Sequence, residues 1–119
     1  MKIVVTASGT APESPVDARF GRAKQFLLLD TDTGVWSAHD NAQNLNAAQG
    51  AGIQAAQTVA GLGAEAVVTG HCGPKAFRVL QAAAIRVALS ATGTAADAAA
   101  AFQAGTLAVA DAADVEGHW

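Results

Sequence analysis

The only cysteine of the chain falls in Gly70-His71-Cys72-Gly73-Pro74, between a short apolar run and a helical pattern. A turn from strand to helix presents backbone N–H groups and the positive end of a helix dipole, which attract anions. Cysteine is a soft metal ligand, a helix start favours its thiolate, and His71 adds an imidazole. One Cys and one His cannot complete a tetrahedral zinc site, so any metal needs ligands from its own guest or elsewhere. The plainer reading is a tight turn with the Cys72 side chain packed inward, as free cysteines often are.

A second glycine loop, Arg19-Phe20-Gly21-Arg22, sets two guanidinium groups three residues apart. Their fixed donors suit a multiply charged anion; alternatively they are ordinary surface arginines around a buried Phe20. Ser8 and Gly9, after the first apolar run, could add backbone N–H groups to the same anion. Lys75 would sit in the first turn of the following helix, where a cation opposes the dipole and an anion would offset it. Arg78 lies three residues on and reads as solvated surface. His39, the asparagines at 41, 44 and 46, and His118 carry weaker signals.

These loops need a scaffold, and the pattern supplies one. Residues 2–7, 24–30, 35–39, 65–69 and 85–89 read as strands. Helices are expected over 47–62, from Pro74 to about Ala84, and after Thr94, with Asp97 completing a capping box. Asp32-Thr33-Gly34 makes the second and third strands an antiparallel hairpin. Strands separated by helices should be parallel with right-handed crossovers, placing the first strand beside the fourth. The expected fold is α/β: a mixed five-stranded sheet with helices on its faces, of the ribonuclease-H-like three-layer kind. The first strand has no carboxylate, so the acidic metal cluster of such nucleases is missing. Both glycine loops should open on one end of the sheet, beyond the carboxyl ends of parallel strands.

Composition narrows the class. With 119 residues, 51% hydrophobic and 14% charged, the chain suits one globular domain. A net charge of -3 gives no reason to expect nucleic acid. Five of the seven basic residues lie in or beside the two glycine loops (Arg19, Arg22, Lys24, Lys75, Arg78). A single cysteine excludes an internal disulfide framework. No signal peptide or membrane span is expected, and a cytoplasmic location is. Residues 1–105 should form the domain, with 106–119 as a loose tail.

Five segments in order carry a family resemblance: KIVVTAS, V-D-A-R-F-G-R-A (16–23), G-A-G-I-Q-A-A (50–56), G-H-C-G-P-K-A-F (70–77) and the Gly-Thr before the last helix. Over about residues 1–105 the chain resembles the dinitrogenase iron-molybdenum cofactor biosynthesis family, including NifX and the C-terminal part of NifB. The resemblance implies a ribonuclease-H-like fold and a role in binding or carrying metal–sulfur cofactors. Within the family the chain looks most like members of sulfate-reducing bacteria that hold a molybdenum–copper sulfide cluster. Many members place a histidine before the Phe-Gly of the first loop, where this chain has Arg19. That departure fits an anionic thiomolybdate-type cluster better than a histidine-coordinated iron cluster.

The expected function is therefore binding of an anionic molybdenum–copper sulfide cluster, or alternatively of an iron–molybdenum–sulfur precursor, without catalytic turnover. Ser8, Gly9, Arg19, Gly21, Arg22, Gly70, His71, Cys72, Gly73 and Lys75 would form the site, with Cys72 and His71 as candidate metal ligands. Two other classes stay open. One is a small enzyme that binds a phosphate-bearing substrate at the same turn, although no acid–base pair is evident. The other is an interaction module; the resemblance implies an iron–sulfur-carrier-type ATPase as partner.

Overall fold

The apolar runs and helical stripes become eight elements: β1 (Lys2–Ala7), β2 (Gln25–Asp30), β3 (Val35–Asp40), α1 (Ala51–Gly61), β4 (Ala66–Val68), α2 (Pro74–Ala82), β5 (Arg86–Ala88) and α3 (Ala95–Gln103). The computed structural model describes residues 1–41 and 51–113. All the expected elements form, with ends shifted by a residue or two; the expected start of α1 lies outside the described residues.

The sheet has strand order β3-β2-β1-β4-β5. β1 pairs antiparallel with β2 and β2 with β3, whereas β1–β4 and β4–β5 are parallel. The mixed five-stranded α/β sheet and the β1–β4 neighbourhood are as expected. Side chains alternate between its faces. Val4, Phe26, Val67 and Val87 share one core with α1 and α2, through Ala55, Val59, Phe77 and Leu80. Ile3, Val5, Leu27, Val68 and Ala88 share the other with α3, which offers Ala95, Ala98 and Ala99. Such small residues let a helix lie close to the sheet.

The stretch after α3 departs from expectation. Gly105 ends the helix at φ 77, the chain turns back, and the Ala110 N–H donates to the Val87 carbonyl at 2.7 Å. Val109 bridges antiparallel to Ala88. Residues 106–110 therefore cover the outer edge of β5 instead of hanging loose. The reason is that β5 would otherwise expose a row of unpaired backbone groups.

Because β1, β4 and β5 run the same way, their carboxyl ends share one rim, from which α2 and α3 depart on opposite faces. A Cβ on Gly52 would stand 3.1 Å from the Ala76 Cβ, so the early turns of α1 and α2 also lie side by side. Among the described residues no helix is long and apolar enough to cross a membrane.

Candidate functional site

At the rim, the two glycine loops are bonded to each other. After Pro15 the chain runs back between the end of β1 and the turns that follow β4 and β5. On one side the Asp17 N–H donates to Thr6 (2.9 Å). On the other, Val16 N–H donates to Gly93 (2.9 Å), His71 N–H to Ala18 (2.7 Å) and Phe20 N–H to His71 (3.2 Å). Arg19 and His71 thus form a parallel bridge. Gly70 is required by this approach: a Cβ there would fall 2.7 Å from the Ala18 Cα and 2.8 Å from its carbonyl oxygen. Gly70, expected as a residue of the binding site, makes room for the neighbouring loop.

Two groups of buried polar side chains brace the junction. The Thr6 hydroxyl lies 2.7 Å from both the Asp17 carbonyl and the Thr69 hydroxyl, and both threonines are fully buried. A carbonyl only accepts, so Thr6 donates to Asp17 and accepts from Thr69. Asn41 is also fully buried, and its Nδ2 donates to the Ala23 (2.8 Å) and Gly21 (3.3 Å) carbonyls. Sequence reasoning left Asn41 among three asparagines of a polar loop and missed this bracing role. A lone amide directly after a strand was the available signal. Phe20, stacked obliquely on Phe26 with centroids 6.0 Å apart, anchors the Arg19–Arg22 loop in the core.

The start of α2 has no cap of its own. Gly73 is the N-cap with no side-chain bond, Pro74 has no N–H, and the first turn holds no acid. The helix thus has no use for the N–H groups of Lys75 and Ala76, which end at the positive pole of its dipole. Lys75 is exposed at this pole, and Arg78 is exposed one turn on. Arg19 is half-exposed, its N–H bonded to Asp17 Oδ1 at 3.0 Å and its Nε 3.7 Å from the same oxygen. The Asp17 side chain is mostly buried while that of Arg19 is half-exposed, so Asp17 orients Arg19 without removing its charge from reach of a guest.

Cys72 corrects the picture drawn from the sequence. It is fully buried, packed with Phe20, Phe77 and Leu80, and its Sγ lies 3.6 Å from the Gly73 carbonyl. The thiol lies in the core and not at the mouth of the turn, because the β4–α2 connection points that side chain beneath α2. His71, its neighbour, is half-buried. Ser8 and Gly9 are likewise drawn elsewhere. The Ser8 N–H is engaged by Pro15 (3.0 Å), and a Cβ on Gly9 would meet Ser14 Oγ at 2.5 Å. Their loop docks on α3: Ser14 and Pro12 accept from Ala95 and Ala96, each at 2.9 Å. Gly21 and Gly73 are buried at the junction and Arg22 is half-buried. His39 bonds Ser37 Oγ at 2.9 Å on β3 and is not part of the junction. The asparagines at 44 and 46 and His118 lie outside the described residues.

The five cations of the glycine loops gather at this rim, while Lys2 and Arg86 lie at the other end of the sheet. Among the described residues no three His, Cys, Asp or Glu side chains group to hold a metal ion. Among the described residues the arrangement offers charge and N–H donors to an anion and groups no set of protein metal ligands.

Comparison with known proteins agrees with the fold and places the chain in a family. Residues 1–105 match the family described as dinitrogenase iron-molybdenum cofactor. The apo form of the orange protein from Desulfovibrio gigas is similar, with 39% identity over 96% of both chains and a TM-score of 0.94. A putative NifB protein from Thermotoga is 29% identical over 98% of both chains, with a TM-score of 0.84. A putative dinitrogenase from Methanocaldococcus jannaschii shares the fold at 15% identity, covering 94% of this chain and 96% of its own, with a TM-score of 0.64. No curated protein matches the chain.

Proposed function

The chain belongs to the dinitrogenase iron-molybdenum cofactor family, and from that premise we propose that its rim binds and carries an anionic metal–sulfur cluster. One observation carries the reading: the Arg19–His71 bridge locks the arginine loop beside a helix start that has neither a side-chain cap nor an acid. Arg19, Arg22 and Lys75 supply charge, and the N–H groups at the start of α2 supply donors to sulfide. The finer assignment is a molybdenum–copper sulfide cluster. It is supported by Arg19 in place of a histidine and by the likeness to the orange protein. An iron–molybdenum–sulfur precursor is the alternative guest. Copper ligation by Cys72 would require its side chain to leave the core, so of the two candidate ligands His71 is the one at the surface.

The strand order, with one antiparallel hairpin leading into parallel crossovers, supports the ribonuclease-H-like reading of the fold. An ATPase of the iron–sulfur-carrier type as partner, and a cytoplasmic location, belong to the same proposal.

Reconstitution with tetrathiomolybdate and copper(I) tests it, read as cluster absorbance that co-elutes with protein. The wild-type chain retains the chromophore. Arg19→Glu with Arg22→Glu weakens retention by roughly tenfold per charge, and added salt weakens it further. Cys72→Ala leaves it unchanged. Undiminished retention in the double glutamate variant would sink the electrostatic reading, and loss in Cys72→Ala would replace it with thiolate ligation.

A further inference from the structure

The end of the sheet away from the rim holds a cavity of about 380 Å³, walled by Met1, Phe102, Leu107 and Val109, with Arg86 and Gln103 among its polar lining. We propose that this cavity is a second, separate binding site, for a small carboxylate with an apolar tail. The site shares no residue with the cluster rim and stands whether or not the rim binds a cluster.

Arg86 carries the argument. It opens β5, and its guanidinium carbon lies 5.4 Å from the centre of the Phe102 ring. One of its terminal nitrogens lies 3.8 Å from the Met1 sulfur. A flat, weakly hydrated guanidinium held against a ring is pre-organised, so little side-chain freedom is lost when it binds. Among the described residues no carboxylate meets it: Asp32 pairs with the N-terminal amine (3.4 Å) and Glu65 accepts from the Lys2 N–H (2.9 Å). No residue of the lining is acidic. The cavity thus presents the exposed Arg86 guanidinium, the Gln103 amide and the Thr31 hydroxyl beside a largely apolar wall, while the N-terminal ammonium of Met1 is paired with Asp32.

Its size and its wall define the guest. Cavities that take small molecules span roughly 300–1,000 Å³, and this one lies near the lower limit, too small for a folded partner. Val109 is 49% exposed, one of two exposed large hydrophobic residues among those described. It sits on the 106–110 stretch, which is fastened to β5 by the Ala110–Val87 hydrogen bond and so holds this wall in place. Phe102 and Leu107 both pack on the α3-side core, which fixes the opposite wall. A guest that covers Val109 and pairs with Arg86 satisfies both features at once; a purely polar anion or a neutral hydrocarbon satisfies only one.

Octanoate is the probe, titrated into the full chain and followed by ¹H–¹⁵N NMR. Saturable shifts are expected at the Arg86 side chain and at the amides of Phe102, Gly105, Leu107 and Val109. Octanol, with the same tail and no charge, should bind about tenfold more weakly, and so should octanoate to Arg86→Gln. Thermal melting checks that the variant is folded; if it is not, the octanol comparison on the wild-type chain decides alone. The Arg19→Glu, Arg22→Glu chain should bind octanoate as the wild type does. Absence of saturable shifts, shifts confined to the α2 rim, or equal affinity for octanol and octanoate would overturn the assignment.

Discussion

Helices α2 and α3 both leave the sheet from the carboxyl ends of parallel strands, yet their first turns are finished in opposite ways. At α3, Thr94 accepts from the Asp97 N–H at 3.1 Å while Asp97 Oδ2 accepts from the Thr94 N–H at 3.3 Å. The next donors, Ala95 and Ala96, are met by carbonyls of the 8–15 loop. Every feature of that start serves the fold. At α2 the cap is a glycine, the first turn carries Lys75 instead of an acid, and a cationic loop is bonded alongside. A helix start with a glycine cap, no acid and a cation in its first turn leaves its positive pole to an anion. The same chain shows it can cap a helix fully, so the bare start of α2 is a property of that place.

The sharpest way to break this contrast is Gly70→Ala. The added Cβ would overlap the Ala18 backbone, so the arginine loop must lift away from the α2 turn. Overpacking of this kind costs about 1–3 kcal/mol, and loss of the two bonds between the loops places the expected value near the top of that range. Urea denaturation measures it, and cluster retention should disappear with it. A variant of wild-type stability that still retains cluster would mean the loops need not be locked together.

Much of this could be read in the sequence, and the reason differs from place to place. β1 was legible because KIVVTA is an apolar, β-branched run without helical spacing, and the β2–β3 hairpin because Asp32-Thr33-Gly34 is a local turn signal. The α3 cap was legible because Thr94 and Asp97 have the spacing of a reciprocal pair. The shared rim followed from the rules of parallel crossovers. What was not legible is direction within a turn. Nothing local says whether Cys72 points out to a guest or down into Phe77 and Leu80, since a small thiol suits both. A glycine at position 70 is compatible with a close approach of any group, and only the fold shows that the group is Ala18. The covering of β5 by Val109 and Ala110 is a long-range pairing that no pattern within 106–110 announces. Asn41 acts likewise at a distance, on carbonyls 18 and 20 residues earlier in the chain.

A smaller effect sharpens the contrast from the α3 side. Thr94→Ala removes the acceptor for the Asp97 N–H and should cost about 1 kcal/mol, read again by urea denaturation. Cluster retention should not change, because α3 serves the fold alone. If retention falls together with stability, the rim depends on the 8–15 loop that α3 holds, and the two helix starts are coupled.

The smallest expected shift is the most telling, because two of its readouts move in opposite directions. Lys75→Glu replaces a cation at the positive pole of α2 with an anion, in a first turn that has no acid. The dipole alone then predicts a gain of about 0.3–1 kcal/mol at low ionic strength, shrinking as salt is added. The same carboxylate would repel a sulfide cluster at the helix start, so retention should fall by about tenfold while the melting temperature rises. A structural lysine gives a different pattern: stability falls and retention follows it. A solvated lysine with no role moves neither. Only a cation kept at an unfavourable place for a guest gives higher stability with poorer binding, and that pairing ties the bare start of α2 to anion capture.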